Sequence, residues 1–167
     1  LEDEAIEKVG QNLKYDMLMM KWYGVEVAGT FFDTMIAHYL CEPDRRHKLD
    51  YLAETYLKYQ MVPIETLIGK KGKNQLTMRD IEVAKVSDYA AEDADITFQL
   101  RDVFQPMLAE INTAELYRDL EAPLIRVLTD MEYEGVRINP DFLNDYSAKL
   151  GAQILEKEQQ IYKEAGT

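Results

Sequence analysis

The sequence feature that most constrains the fold is one long helical pattern. Residues from about Met78 to about Leu108 show the spacing of apolar side chains that is typical of a single amphipathic helix. Thr77 and Asp80 have the spacing of a capping box, which marks a helix start. The predicted apolar stripe consists of Val86, Ala90, Ala94, Thr97, Leu100 and Phe104.

Shorter elements are predicted before this helix. EKVGQN (7–12) has the pattern of a short strand ending in a turn, and the helical run LKYDMLMMKWYG (13–24) follows it. VEVAGTFF (25–32) alternates weakly, so a second strand is possible there. Asp33 stands where an N-cap is expected, ahead of the next helix. Helical spacing returns over residues 49–60. The aromatic residues predicted to lie in the core are Trp22, Tyr23, Phe31 and Phe32.

The C-terminal third is predicted to be helical. A helix follows Asn112 and runs to Gly135, with Pro123 near a bend or in a new first turn. Asn139 and Pro140 have the pattern of an N-cap followed by proline at the first helical position. The last helix runs from there toward the end of the chain.

Composition favours a globular protein with a substantial core, since 47% of the residues are hydrophobic and 30% are charged. No apolar run approaches the roughly 18 residues that a membrane-spanning helix needs, so no membrane is expected as a partner. The single cysteine, Cys41, suits a reducing cytoplasm. A net charge of −12 argues against a nucleic-acid partner. Residues 58–79 are the exception, because they carry five basic residues against one glutamate.

Three side chains could carry chemistry. Asp16 lies early in the helix that follows the first strand, and Tyr89 and Asp93 are four residues apart on the long helix. Carboxylates are hard oxygen ligands that suit Mg²⁺ or Mn²⁺. A tyrosine one turn away can orient a metal-bound water. This spacing is weak evidence by itself, because Tyr and Asp at i and i+4 are common on ordinary helices.

Several segments closely resemble family A bacterial DNA polymerases. VGQNLKYD (9–16) and DYAAEDADITFQL (88–100) resemble the second and third motifs of their 3′→5′ proofreading exonuclease domain. GKKGKNQLT (69–77) resembles the lysine-rich loop between these motifs, and AGTFFDTMIAHYL (28–40) fits the segment after the second motif. LEAPLIRVLTDMEYEGVRIN (120–139) resembles the entry to the polymerase domain.

The resemblance implies a helix-rich α/β fold of the ribonuclease H-like exonuclease type, without its first strands. It implies an exonuclease domain over residues 1–112 and the start of a polymerase domain over residues 113–167. The parent protein would be a bacterial, cytoplasmic and nucleoid-associated enzyme that synthesises DNA and removes mispaired 3′ nucleotides. Its partners would be the single-stranded 3′ end of DNA and the polymerase domain of the same chain.

The resemblance also implies roles for individual residues. Asp16 and Asp93 would be metal ligands, in a complete site that holds two Mg²⁺ or Mn²⁺ ions, and Tyr89 would orient the attacking water. Gln11 and Asn12 match positions that contact the single-stranded end. Phosphate contacts are expected from four lysines: Lys14, Lys70, Lys71 and Lys73.

The sequence departs from the family pattern in its first motif. The family's Asp-x-Glu pair belongs on an early strand and is expected N-terminal to residue 1. The Asp-x-Glu at Asp130 and Glu132 is rejected, since it lies on a predicted helix inside the polymerase-entry match. Two of four metal carboxylates would then be missing. The expectation is a truncated chain that is inactive alone and that self-associates through exposed strand edges.

Two alternatives remain open from the sequence. A ribonuclease D-like exonuclease of the same fold would share Asp16 and the Tyr89–Asp93 pair, but its sequence should diverge over residues 115–150. A structural domain that kept the exonuclease fold without activity is the other alternative. The first motif would discriminate between that alternative and an active enzyme.

Overall fold

Two short parallel strands organise the N-terminal part of the chain. In a computed structural model, which describes residues 1–166, strand β1 (Lys8–Gly10) pairs with strand β2 (Phe31–Asp33). Val9 lies opposite Phe32, and Gly10 lies opposite Asp33. Helix α1 (Leu13–Trp22) lies between the strands in sequence. Both strands therefore end at one edge, where α1 and the next helix begin.

Helices form most of the rest of the described chain. Two of them, α3 and α6, continue directly into one turn of π-helix. Their bounds are α2, Thr34–Cys41; α3, Leu49–Leu52, with its π-turn at Ala53–Leu57; α4, Glu65–Ile68; α5, Val83–Glu110; α6, Ala114–Leu116, with its π-turn at Tyr117–Glu121; α7, Ala122–Glu134; and α8, Pro140–Ala165.

The chain divides into two compact units, of which the first ends at Glu134 and the second begins at Gly135. The first unit has its main core along α5, where Leu100 and Phe104 are fully buried. Tyr117 and Ala122 belong to that same core. The predicted domain boundary after residue 112 stays a prediction. Over residues 1–166, no helix is both long and apolar enough to cross a membrane.

The second unit consists mainly of α8. The predicted cap is confirmed, because the Asn139 side chain accepts a hydrogen bond from the backbone N–H of Phe142, and Pro140 occupies the first turn. No residue of α8 is buried. Its exposed apolar residues include Leu143, Tyr146 and Ile154.

The long helix was predicted in the right place but with the wrong start. α5 begins at Val83, five residues after the predicted Met78. The Thr77–Asp80 capping box is present, but it closes a single 3₁₀ turn at Met78–Asp80. That turn ends at Ile81, whose backbone is extended. The capping box therefore marked a local turn rather than the start of the long helix.

Two predicted core aromatics are at the surface. Trp22 is 63% exposed and Tyr23 is 85% exposed, because both lie at the C-terminal end of α1, beyond its buried residues Leu13 and Met17. Trp22 contacts Tyr133 with ring centroids 4.7 Å apart. Phe31 and Phe32 are buried, as predicted. The predicted second strand forms only at its end, since the structure begins β2 at Phe31.

The buried carboxylate of Asp33 connects the starts of two helices. It caps α2 by accepting from the backbone N–H groups of Met35 and Ile36, at 2.9 and 3.3 Å. It also accepts from the N–H groups of Asn12 and Leu13, at 3.2 and 2.7 Å, where α1 begins. Burial raises the pKa of Asp33, and these four hydrogen bonds oppose the rise.

A pair of histidines forms where His38, in the C-terminal half of α2, meets His47. His38 is fully buried, and its Nδ1 lies 2.6 Å from Nδ1 of His47. Its Nε2 lies 3.0 Å from the hydroxyl of Tyr56. One proton can be shared between the two Nδ1 atoms, but a second proton would place two N–H groups face to face. Burial first, and the neighbouring His47 second, lower the pKa of His38 to about 4.

We predict that Asp33→Ala lowers the free energy of unfolding by roughly 3 kcal/mol, because it removes a cap from each of two helices and leaves buried N–H groups unpaired. Urea denaturation measures the change. Asp44→Ala, in an exposed loop, is the matched control and should change stability by less than about 0.5 kcal/mol. Equal effects of the two substitutions would contradict the role of Asp33.

The buried His38 predicts a loss of stability on acidification. A histidine whose folded pKa is lowered stabilises the protein fully above its unfolded value of 6.5, and this contribution disappears as the pH falls toward about 4. The loss amounts to about 3 kcal/mol over that interval. His38→Gln should be less stable at pH 7 but show a flatter pH profile. Parallel profiles for the two proteins would show that His38 is not the group responsible.

Candidate functional site

A cleft of about 680 Å³ opens at the carboxyl ends of the two strands. Its lining includes the end of β1, the first turns of α1, the N-terminal half of α5 and residues 61–65. The three side chains singled out from the sequence, Asp16, Tyr89 and Asp93, all line this cleft. Ligand sites commonly lie at this edge of a parallel sheet, because helix starts and loops converge there.

Local structure explains why these three side chains converge. Asp16 lies in the first turn of α1, directly after the turn that ends β1. Tyr89 and Asp93 are one turn apart on the same face of α5. Gly10 allows the tight turn between β1 and α1, because a Cβ there would lie 2.2 Å from a methyl carbon of Leu13. Two separate segments of sequence thus supply the three side chains of one cleft.

The cleft holds its carboxylates at an electrostatic cost. Desolvation raises the pKa of Asp16, and the negative charge of Asp33 raises it further. Desolvation also raises the pKa of Asp93, and Glu92 adds to the rise, while a hydrogen bond from Tyr89 opposes it. Desolvation and the charge of Asp93 raise the pKa of the Tyr89 hydroxyl. A bound cation would remove this cost, because it favours the ionised carboxylates.

Gln11 lines the cleft, but its side chain is bound within the protein itself. The Gln11 amide donates to the backbone oxygen of His47 at 2.7 Å and accepts from the hydroxyl of Thr34. Asn12 adopts a left-handed backbone conformation, with φ of 63°, at the start of α1. The side-chain contacts of Gln11 give it a structural role in the turn, whereas Asn12 contributes its backbone N–H, which donates to Asp33.

The predicted lysines fall into two groups. Lys14 belongs to the first group, because it forms an ion pair with Glu132 of α7. Lys21, which was not among the predicted lysines, pairs with Asp130 of the same helix at 2.6 Å. The rejected Asp-x-Glu pair therefore ties α7 to α1 and does not line the cleft. Lys70, Lys71 and Lys73 are exposed in the loop after α4. No ion pair to these three lysines forms within the described part of the chain.

Two residues of this region were missed in the sequence. Lys48 lines the cleft beside the start of α3. Glu92 binds the segment that forms one wall of the cleft, through Tyr59 and Val62. No local sequence pattern indicated a role for either residue. Lys48 lies in a polar loop, and the residues that Glu92 contacts are about 30 positions away in sequence.

Comparison with known proteins assigns the chain to a family. A family model described as 3′-5′ exonuclease matches residues 1–109, which is more than half of the chain. The chain belongs to the 3′-5′ exonuclease family. The resemblance to the exonuclease domain of bacterial DNA polymerase I is confirmed by this match together with the curated relatives.

Relatives in this family are much longer than the chain. DNA polymerase I of Rhizobium leguminosarum is 38% identical over 167 residues, which cover 99% of this chain and 16% of that protein. DNA polymerase I of Pseudomonas aeruginosa is 35% identical over 170 residues, covering 99% of this chain and 18% of that protein. The chain thus spans less than a fifth of these curated relatives.

A solved structure supports the fold. It is described as the POL domain of Pol1 from M. smegmatis in complex with DNA primer-template and dNTP. Its TM-score is 0.71 at 23% sequence identity, and the match covers 96% of this chain and 24% of that chain. The predicted helix-rich α/β exonuclease fold is confirmed.

The carboxylates of the cleft are chemically suited to a divalent cation, but they do not form a complete site for two ions. Asp16 and Asp93 supply carboxylate oxygens in one cleft, and both have raised pKa values that a cation would reverse. Among residues 1–166, however, no three His, Cys, Asp or Glu side chains are grouped closely enough to hold a metal ion. Two cations at about 4 Å separation would need further oxygen ligands.

We predict that Asp93→Asn makes the protein more stable at pH 7. The raised pKa means that the ionised carboxylate costs stability above the folded pKa, and the neutral amide removes that cost. The gain should shrink as the pH falls and vanish below the ordinary value of 3.8, where the wild-type carboxyl is protonated in both states. Thermal denaturation at several pH values measures this.

Asp88→Asn is the matched control, since Asp88 is an exposed carboxylate one turn earlier on α5 than Glu92. It should leave the melting temperature nearly unchanged. A destabilised Asp93→Asn variant at pH 7 would mean that the cleft does not penalise the charge.

Proposed function

We propose that this chain forms part of the proofreading site of a DNA polymerase I, where a single-stranded 3′ end enters the cleft and its last phosphodiester is hydrolysed. The observation that carries the proposal is that Asp16, Tyr89 and Asp93 line one cleft, although they come from segments more than 70 residues apart. The family match over residues 1–109 supports the same reaction. The polymerase and nuclease activities of the whole protein are part of this proposal.

Asp16 and Asp93 would hold the divalent cations, Mg²⁺ or Mn²⁺. When bound, such cations supply Lewis-acid activation of a water and stabilise the leaving 3′ oxygen. Tyr89 lies one turn from Asp93 on the same face of α5 and lines the same cleft. Its hydroxyl oxygen can also hold the attacking water in line with the phosphorus.

The polyanionic strand would be bound mainly by the lysine loop. Lys70, Lys71 and Lys73 are exposed and free of ion pairs within residues 1–166, so their charges are available to phosphates. Lys48 in the cleft is a further cation for the same strand. Gln11 would act mainly through the turn that it holds, and Lys14 through its ion pair with α7, since both side chains are bound to protein groups. Asn12 stays a proposed contact of the single strand.

We predict that replacing Lys70, Lys71 and Lys73 by alanine weakens binding of a fluorescein-labelled oligothymidylate. For single strands, the slope of log Kd against log salt should fall by about 2, since each phosphate contact contributes about 0.7. Fluorescence anisotropy in EDTA measures binding without cleavage. Lys149, Lys157 and Lys163, on α8, provide a triple-alanine control of equal charge. Equal slopes in the two triple variants would contradict the lysine loop as the contact.

A structural domain without catalysis is the second candidate. The observation that favours it is that the described residues contain no group of three metal-ligating side chains. Calorimetric titration with Mn²⁺ separates the two candidates. The catalytic proposal expects Mn²⁺ to bind and Asp93→Asn to abolish the binding. Heats that are identical for both proteins would favour the structural candidate.

Self-association stays a prediction. The exposed apolar residues of α8 are a surface through which it could occur.

A further inference from the structure

One wall of the cleft has no regular secondary structure. Residues 58–63 lie in neither helix nor strand, and the cleft lining includes Met61, Val62 and Pro63 from this wall. Tyr89 and Asp93 line the same cleft from α5. The width of the cleft therefore depends on what holds an irregular segment against a helix.

The carboxylate of Glu92 makes that connection. Its Oε1 accepts a hydrogen bond from the Tyr59 hydroxyl at 2.8 Å, and its Oε2 accepts from the backbone N–H of Val62 at 3.0 Å. Both oxygens of one side chain are used, and they hold the wall at two points. Glu92 is the residue immediately before Asp93, so the wall is fixed relative to the proposed metal ligand.

Other backbone hydrogen bonds hold the ends of the wall but not its middle. The Tyr59 N–H donates to the oxygen of Ala53, and the Pro63 oxygen accepts from Thr66. Between these ends, within residues 1–166, the bond to Glu92 is the one that engages the backbone of Val62. Met61 also packs against the main core. Glu92 therefore supplies the polar anchor for the middle of the wall.

The charge of Glu92 is unfavourable for the proposed ligand. A carboxylate beside a cleft that binds phosphates repels them, so loss of the charge alone should tighten binding. A role in positioning predicts the opposite for a variant that loses the contacts. Charge and positioning can thus be separated by the sign of the effect.

We infer that Glu92 is a positioning residue, which holds the wall around Tyr59 and Val62 in the place that a single-stranded 3′ end requires. This inference rests on the proposed function. It assigns Glu92 no contact with the reacting atoms. A wall that is ordered before binding costs the strand less free energy to engage than one that must be ordered during binding.

The test compares Glu92→Ala with Glu92→Gln. Alanine removes both hydrogen bonds. Glutamine keeps both without the charge, because its oxygen can accept from Val62 and its amide can donate to the Tyr59 hydroxyl oxygen. Asp88→Ala is the matched control for charge, since Asp88 is exposed and lies one turn earlier on α5. The readouts are amide hydrogen exchange at Val62 and anisotropy of a labelled oligothymidylate in EDTA.

We expect Glu92→Ala to accelerate exchange at Val62 and to weaken oligothymidylate binding about tenfold, the cost of ordering roughly one backbone residue on binding. Glu92→Gln and Asp88→Ala should keep the wild-type affinity or improve it. The Tyr59→Phe substitution should weaken binding in the wild-type background and have no further effect when it is combined with Glu92→Ala.

Two results would overturn the inference in different ways. Wild-type affinity in Glu92→Ala, with faster exchange at Val62, would show that the wall is released but does not position the strand. That result would leave the proposed function intact. If the wild-type chain binds no oligothymidylate at all, both the proposed function and the role of Glu92 fail.

Discussion

The first unit depends on one buried carboxylate. Asp33 accepts hydrogen bonds from the start of its own helix, α2, and from the start of α1, which begins 20 residues earlier. In turn, the backbone N–H of Asp33 donates to the Tyr117 hydroxyl at 2.6 Å. One side chain therefore fixes the register at which two helices leave the sheet, and its backbone ties that point to the segment before α7. Burying a charge is tolerated here because its acceptor capacity is filled.

The cleft is a consequence of this arrangement. Because α1 begins against Asp33, the first turn of that helix presents Asp16 at the sheet edge. The long helix α5 passes the same edge and adds Tyr89 and Asp93. Placing these carboxylates there has a cost, since burial raises the pKa of both Asp16 and Asp93, and the negative charges of Asp33 and Glu92, respectively, raise them further. Costs of this kind are typical of sites that are completed by a cation.

Features set by neighbouring residues could be predicted from the sequence. The cap at Asp33, the cap at Asn139 and the first strand and helix depend on residues within a few positions, and each is present. The predicted start of α5 was wrong, because the sequence pattern of a capping box is the same at a 3₁₀ turn and at the start of a long helix. Exposure of Trp22 depends on which turns of α1 are covered by the rest of the protein, and no local pattern encodes that.

The candidate site shows the same limit. Asp16, Tyr89 and Asp93 were identified through a motif resemblance, whereas their spacing alone was weak. The partners of Lys14 and Gln11 are 118 and 36 residues away, so the sequence could not show that both are bound within the protein. The contacts of Glu92 with the wall appear only once the chain is folded, because Tyr59 and Val62 lie about 30 residues away in sequence. Long-range contacts decide which polar residues remain available to a ligand.

The central claim is that the cleft of Asp16, Tyr89 and Asp93 receives the 3′ end of a single strand. The most direct measurement is photo-crosslinking with two oligothymidylates that carry 4-thiothymidine at the 3′ or the 5′ terminus, followed by mass spectrometry of the crosslinked peptides. The account predicts that the 3′-terminal probe labels peptides of the cleft lining, such as residues 9–16 or 61–65, and that the 5′-terminal probe does not. Equal labelling from both ends, or 3′ labelling confined to α8, would contradict it.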